Sequence, residues 1–322
     1  MSRLIRNTVV LFKTEVTYGT DPVPTGAANA LLVSNLTYNP LNAQNVSRDL
    51  VRGFMGGSEQ LVGNKFHECS FDIELVNGGI AGTAPAYGPV LLACGMAETV
   101  TAAVRVDYTP ISTAINSGTI YWYDDGLLHK LTGARGSVAF KMNAGGRPVM
   151  SFSFKGIYNA PTASANATPV YTAFKTPQVV NEANSSDLTF GGTHTLAIAP
   201  AITAGTPYPS LGIEVDLGNT VEYVPLLGGE SVEVTQRDAS CKFQLDLTPA
   251  QEVTFLADVS AANLTTVGFV HGTTAGYKSL LWLPFVQKIN PSKQDQSGKR
   301  MLGYDGRVVP SVGNDEFRLV LF

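Results

Sequence analysis

The chain has 322 residues, with 22 Lys and Arg against 26 Asp and Glu, a formal net charge of −4, and only 15% charged against 44% hydrophobic residues. That balance excludes a protein that grips nucleic acid through a basic footprint, because neutralising phosphates takes clustered Lys and Arg. The three Cys, Cys69, Cys94 and Cys241, are too few and too odd for a disulfide framework and point to a reduced chain of bacterial-cytoplasm type.

In chain order, the N-terminal segment places Arg3, Arg6 and Lys13 around the short apolar run Thr8 to Phe12. That run is too short for a signal h-region, and no later segment approaches the roughly 18 apolar residues of a membrane span. The stretch Leu50 to Lys65 holds Gly53, Gly56, Gly57 and Gly63 and reads as a long loop. Phe71, Ile73 and Leu75 then alternate with Ser70, Asp72 and Glu74, the period of a half-buried strand. A short helix is expected from Pro85 to about Cys94, stopped by Gly95, and a turn at Asp124-Asp125-Gly126. Met150, Phe152 and Phe154 alternate with Ser151, Ser153 and Lys155, a second strand of the same kind.

Residues 161–177, rich in Ala, Thr and Pro and without a period, are expected to link a first domain (1–160) to a second (178–322). In the second, Cys241, Phe243, Leu245 and Leu247 alternate with Lys242, Gln244 and Asp246. Thr248-Pro249-Ala250-Gln251 is a capping box with proline at the first helical position, opening a helix to about Ala262. The expected fold class is mostly β, as two tandem β-sandwich or barrel domains, each with one short flanking helix.

The two halves read as copies. Leu36–Leu41 matches Val221–Leu226 through Tyr-x-Pro-Leu, and Arg48-Asp49 matches Arg237-Asp238. Phe71-Asp72-Ile73-Glu74-Leu75 matches Phe243-Gln244-Leu245-Asp246-Leu247, and a helix follows in each half. On this alignment residues 50–65 are an insertion of the first copy only, while the second makes a tight turn near Arg237 to Ser240.

Several stretches carry a family resemblance. They are Phe12-Lys13-Thr14-Glu15-Val16-Thr17-Tyr18-Gly19-Thr20-Asp21, the strand Phe71–Leu75, Pro85-Ala86-Tyr87-Gly88-Pro89, Leu91–Met96, Tyr121–Lys130 and Gly268–Thr273. In these the chain resembles the tail tube (major tail) proteins of long-tailed, non-contractile bacteriophages. The resemblance implies a β-sandwich-like domain whose copies form six-fold rings that stack into a tube around the tape-measure protein and, at infection, the phage DNA. It implies no enzyme and no cofactor. The tail terminator and tail-tip proteins become further partners, and the location is the virion tail, assembled in the host bacterial cytoplasm. With two domains per chain, three chains supply six, since head-to-tail contacts close into rings when the rotation allows.

Two sets of residues follow as candidates. Glu68, Ser70, Asp72 and Glu74 share one strand face, and Lys242, Gln244 and Asp246 share another. If these strands line the tube, they face its lumen and present an acidic wall that repels phosphate. Arg52, Gly53, Phe54, Met55, Gly56 and Gly57 are the candidates for an arm that reaches an adjacent ring.

Catalytic and metal constellations compare poorly. His67 and Cys69 lack a partner pair for zinc, Cys94 has no nearby His, and Gly145-Gly146 and Gly228-Gly229 precede no helix. The rival readings are a β-sandwich adhesin or carbohydrate-binding surface protein and, less supported, a β-sandwich hydrolase.

Overall fold

A computed structural model describes residues 3–196 and 199–322. Its first half runs β1 (Thr8–Thr14), α1 (Gly26–Asn29), β2 (Ala30–Leu31), β3 (Ser34–Val46), β4 (Leu61–Glu74), α2 (Gly88–Leu92), β5 (Met96–Thr101), β6 (Arg105–Pro110), β7 (Gly118–Asp124), β8 (Leu127–Asn143), β9 (Val149–Tyr158) and β10 (Thr162–Ala163). The second half runs β11 (Leu188–Phe190), β12 (Thr193–Thr195), β13 (Ala201–Thr203), β14 (Thr206–Tyr208), β15 (Ser210–Asp216), β16 (Asn219–Leu226), β17 (Gly229–Arg237), β18 (Ser240–Leu245), α3 (Pro249–Ser260), β19 (Leu264–His271), β20 (Ser279–Gln296), β21 (Lys299–Val308) and β22 (Arg318–Leu321).

The protein is therefore mostly β. The period-two runs form β4, β9 and β18, and the Thr248 capping box opens α3 as expected. Three expectations need correction. The expected first helix shortens to α2, and the half also holds the one-turn α1. Leu61 to Lys65 are not loop: they pair with β3 and begin β4, so the irregular segment is 47–60. Val221–Leu226 is not the counterpart of β3. It forms β16 and pairs only with β17 in a separate hairpin, so the second half does have an arm between β15 and β18.

Backbone pairing sets one continuous run of eight antiparallel strands, β3–β4–β9–β8–β15–β18–β21–β20. β8 makes this run possible because it is long and bent. Its first part pairs with β7 and β10, and its last part pairs with β9 and β15. The bend falls at Gly133, whose φ of +60° disfavours a side chain and whose missing Cβ leaves room for the Tyr18 ring. β20 is built likewise, pairing with β19 and β22 early and β21 late.

The apolar faces of these strands make one core spanning both halves. Phe71 packs on Phe152 and Phe154 with centroids 5.7 and 5.8 Å apart, and Phe140 of the first half stacks on Phe317 of the second at 4.9 Å. Each such ring contributes about 2–3 kcal/mol on burial. β22 also pairs with β6, joining the halves a second time. Residues 161–177 do not hang free: Thr162 and Ala163 pair with β8, and the Val170 N–H donates to the Gly26 carbonyl.

The signature stretch near the N-terminus has a structural cause. Glu15 is buried and accepts four hydrogen bonds, from Ser117 Oγ (2.6 Å), Thr119 Oγ1 (2.7 Å), Gly133 N (2.7 Å) and Gly19 N (2.8 Å). It pins the β1 exit, β7 and the β8 bend together. Tyr18 is thereby aimed at β17, where its hydroxyl accepts from Val232 N at 2.5 Å.

Candidate lumen face and assembly arms

Strand alternation puts one side chain in two on the face opposite the core. On β4 that face carries Glu68, Ser70, Asp72 and Glu74, while Cys69, Phe71 and Ile73 are buried. On β18 it carries Lys242 and Gln244, with Asp246 just beyond, while Cys241, Phe243 and Leu245 are buried. The eight-strand run brings both groups to one polar face, and grooves of about 600, 680 and 500 Å³ indent it.

The strands between them add residues that the sequence reading missed. Lys155 on β9 lies opposite Glu68, and Arg135 on β8 lies opposite Lys155. Further along, the register gives the row Glu74, Val149, Lys141, Glu214, Lys242, Asp305. A neighbouring row runs Asp72, Ser151, Ala139, Asp216, Ser240, Arg307. The face is thus not the acidic wall expected from β4 and β18 alone. Bases interleave with the acids: Lys141, Glu214, Lys242 and Asp305 alternate along one row, and Lys155 faces Glu68. Glu74 also meets Arg147 at 3.0 Å, and Lys155 sits 3.9 Å from both Glu68 and Glu222. The alternation Val138-x-Phe140-x-Met142 against Ser137, Ala139 and Lys141 was the signal available on β8.

Two arms leave this run at the same topological place. Between β15 and β18 the chain departs into the β16–β17 hairpin, which folds back over β8 and β9 of the first half. There Arg135 Nη1 donates to the Val232 carbonyl at 2.8 Å and pairs with Glu233, and Tyr223 stacks on Phe66 at 5.1 Å. Between β3 and β4 the chain departs into the second arm, the far ends of those strands and segment 47–60. Arg52, Gly53, Phe54, Met55, Gly56 and Gly57 lie at its exposed tip. Local ion pairs of Arg48 and Arg52 with Glu59 brace it, and Val51, Phe54 and Met55 stand in solvent.

The other polar candidates have ordinary structural roles. His67 is fully buried, its ring nitrogens 2.9 Å from the Tyr38 hydroxyl and 3.3 Å from the Asn159 carbonyl, and burial holds its pKa below the usual value. Burial pushes the thiols of Cys69 and Cys94 up, and that of Cys241 up to about 12. These are the wrong conditions for a nucleophilic thiolate. Asp125 caps the N-terminal turn by accepting from Leu4 N at 2.7 Å. Among the described residues no group of three or more His, Cys, Asp or Glu is placed to hold a metal ion, and no helix is long and apolar enough to cross a membrane.

A comparison with curated proteins finds no match. A family model described as phage tail tube protein matches residues 5–303, nearly the whole chain, including β3, β4, β8, β15, β18 and both arms. The chain belongs to the phage tail tube protein family, whose members are structural proteins of the virion tail.

Proposed function

We propose that the chain is a non-enzymatic building block of the tail tube, in which two four-strand units per chain let three chains close a ring of pseudo-six-fold symmetry. The observation that carries this is the strand order. β3–β4–β9–β8 is followed in the same sheet by β15–β18–β21–β20. In each set the two strands that flank the arm are followed by a later hairpin taken in reverse chain order, and the antiparallel alternation continues unbroken. Residues 1–160 and 178–322 then act as two tandem tail-tube-type domains. The rings stack into a tube that surrounds the tape-measure protein and later conducts DNA, with terminator and tip proteins at its ends.

In this reading the polar face lines the lumen, with Glu68, Ser70, Asp72, Glu74, Lys242, Gln244 and Asp246 on the wall. Lys155 lies 3.9 Å from Glu68, and Lys141 and Lys242 both face Glu214 in register, so each of these three wall bases has an acidic partner beside it. A phosphate therefore gains little by displacing that partner, and DNA slides without gripping. The arm tip at Arg52 to Gly57 reaches a neighbouring subunit or ring, as the β16–β17 hairpin reaches the first half within one chain.

The test is sedimentation and negative-stain microscopy of the purified protein over a concentration series. Trimeric rings and stacked tubes are expected. A monomer at every concentration that binds glycan would replace this reading with that of a carbohydrate-binding surface protein.

A further inference from the structure

Resting on the ring reading, we propose that the β8–β15 junction inside each chain is the template for the junction between chains, and that it fixes the register of that junction. The eight-strand run ends on two open edges. Among the described residues, nothing pairs with the outer edge of β3. Among the same residues, nothing pairs with β20 beyond Gln287 on its β19 side. Long open edges are sites of strand addition, and a second copy of this chain carries the complementary edge.

The correspondence between halves gives the partners residue by residue. Aligning Phe71–Leu75 with Phe243–Leu247 makes Cys69 equivalent to Cys241. Through the β4 and β18 registers, Thr37 then stands where Glu214 stands, and Tyr38 where Val215 stands. Both strands carry a register shift just before this point, with a left-handed residue in it: Asn35 at φ 51° and Gly212 at φ +99°. Through β9 and β21, Gln294 stands where Lys141 stands, Lys293 where Phe140 stands and Ser292 where Ala139 stands.

Inside the chain Glu214 faces Lys141, Val215 faces Phe140 and Asp216 faces Ala139. Between chains, Thr37 of one copy faces Gln294 of the next, Tyr38 faces Lys293, and Asn39 faces Ser292. Because the run has an even number of strands, β20 and the next β3 meet antiparallel, as β8 and β15 do. The side chains differ in a way that suits assembly from soluble subunits. Phe140 and Val215 are buried in the internal junction, whereas Lys293 is exposed and Tyr38 half-buried at the open edges.

Directly opposed antiparallel residues have Cα atoms about 4.5–5.5 Å apart, inside the range that a disulfide spans. The native thiols are buried and do not compete. The experiment oxidises assembled T37C/Q294C protein and resolves it on a denaturing, non-reducing gel. K141C/E214C, the same geometry within one chain, reports that such a pair can close. T37C/S292C is two residues out of register. Covalent dimers and trimers from T37C/Q294C are expected, with the series ending at three chains and little product from T37C/S292C. Tubes in the micrograph with no cross-link at T37C/Q294C, or preferential linking of T37C/S292C, would overturn the junction while leaving the tube reading intact. Absence of rings and tubes altogether would overturn both.

Discussion

Replacing Glu15 tests whether the N-terminal signature stretch is the hub that holds the β16–β17 hairpin in place. Glu15→Ala removes one acceptor group and leaves four donors behind. The Ser117 and Thr119 hydroxyls can rotate toward other partners. The N–H groups of Gly19 and Gly133 are fixed by the backbone. Each buried donor left unpaired costs about 1–3 kcal/mol, so two fixed donors and the lost packing sum to about 3–5 kcal/mol. The entropy of unfolding scales with length, and for a chain of this size that loss lowers Tm by about 4–8 °C. Thermal unfolding followed by circular dichroism reads it directly. Hydrogen exchange should show a second effect: the Val232 amide loses protection, because Tyr18 is no longer aimed at it. A Tm within about 1 °C of the parent, or unchanged protection at Val232, would refute the hub.

Deleting Arg52 to Gln60 should leave Tm nearly unchanged, since the tip is exposed and its ion pairs are local, but abolish tubes in negative stain; normal tubes would make the arm dispensable. Converting Glu68, Asp72 and Glu74 to lysine should permit assembly but leave wall bases unmatched, so that DNA ejection slows and the slowing fades as salt rises; unchanged ejection at low salt would remove these residues from the lumen. Burial holds all four histidines, His67, His129, His194 and His271, below their ordinary pKa. The unfolded chain therefore takes up more protons than the folded one once pH drops below about 6.5, so stability is fully present above that value and declines as pH falls toward the folded pKa values. Urea midpoints that stay flat between pH 7 and 5 would contradict it.

The strands with strict alternation and no bend, β4, β9 and β18, were legible because one face is buried and the other is not. The α3 boundary was legible because Thr248, Pro249 and Gln251 act within four residues of one another. What failed depended on distant partners. Tyr-x-Pro-Leu occurs in both β3 and β16, yet it is β15 that pairs with β18 as β3 pairs with β4. The two buried apolar side chains of β15, Ile213 and Val215, follow Gly212, where a Cβ would lie 1.9 Å from the Met142 carbonyl oxygen. Such a bulge leaves too short a periodic run to recognise. The Arg-Asp pair misled in the same way: Arg48 meets Glu59 at the arm, whereas Arg237 meets buried Glu316 at the base of the hairpin. The candidate wall was half legible. β4 and the end of β18 supplied Glu68, Asp72, Glu74, Lys242 and Asp246, but Arg135 and Lys141 lie on β8, whose alternation is interrupted by the Gly133 bend, and Glu214 and Asp216 lie on β15, which its bulge shortens. The Glu15 hub was not legible, since three of its four donors come from residues more than a hundred positions away.

The most direct test of the central claim is a helical reconstruction of the assembled tube by electron cryo-microscopy. The account predicts three chains per ring, with β3, β4, β9, β8, β15, β18, β21 and β20 of each chain forming the inner wall and Glu68, Asp72, Lys141 and Glu214 facing the bore. Six chains per ring, or these side chains on the outer surface of the tube, would contradict it.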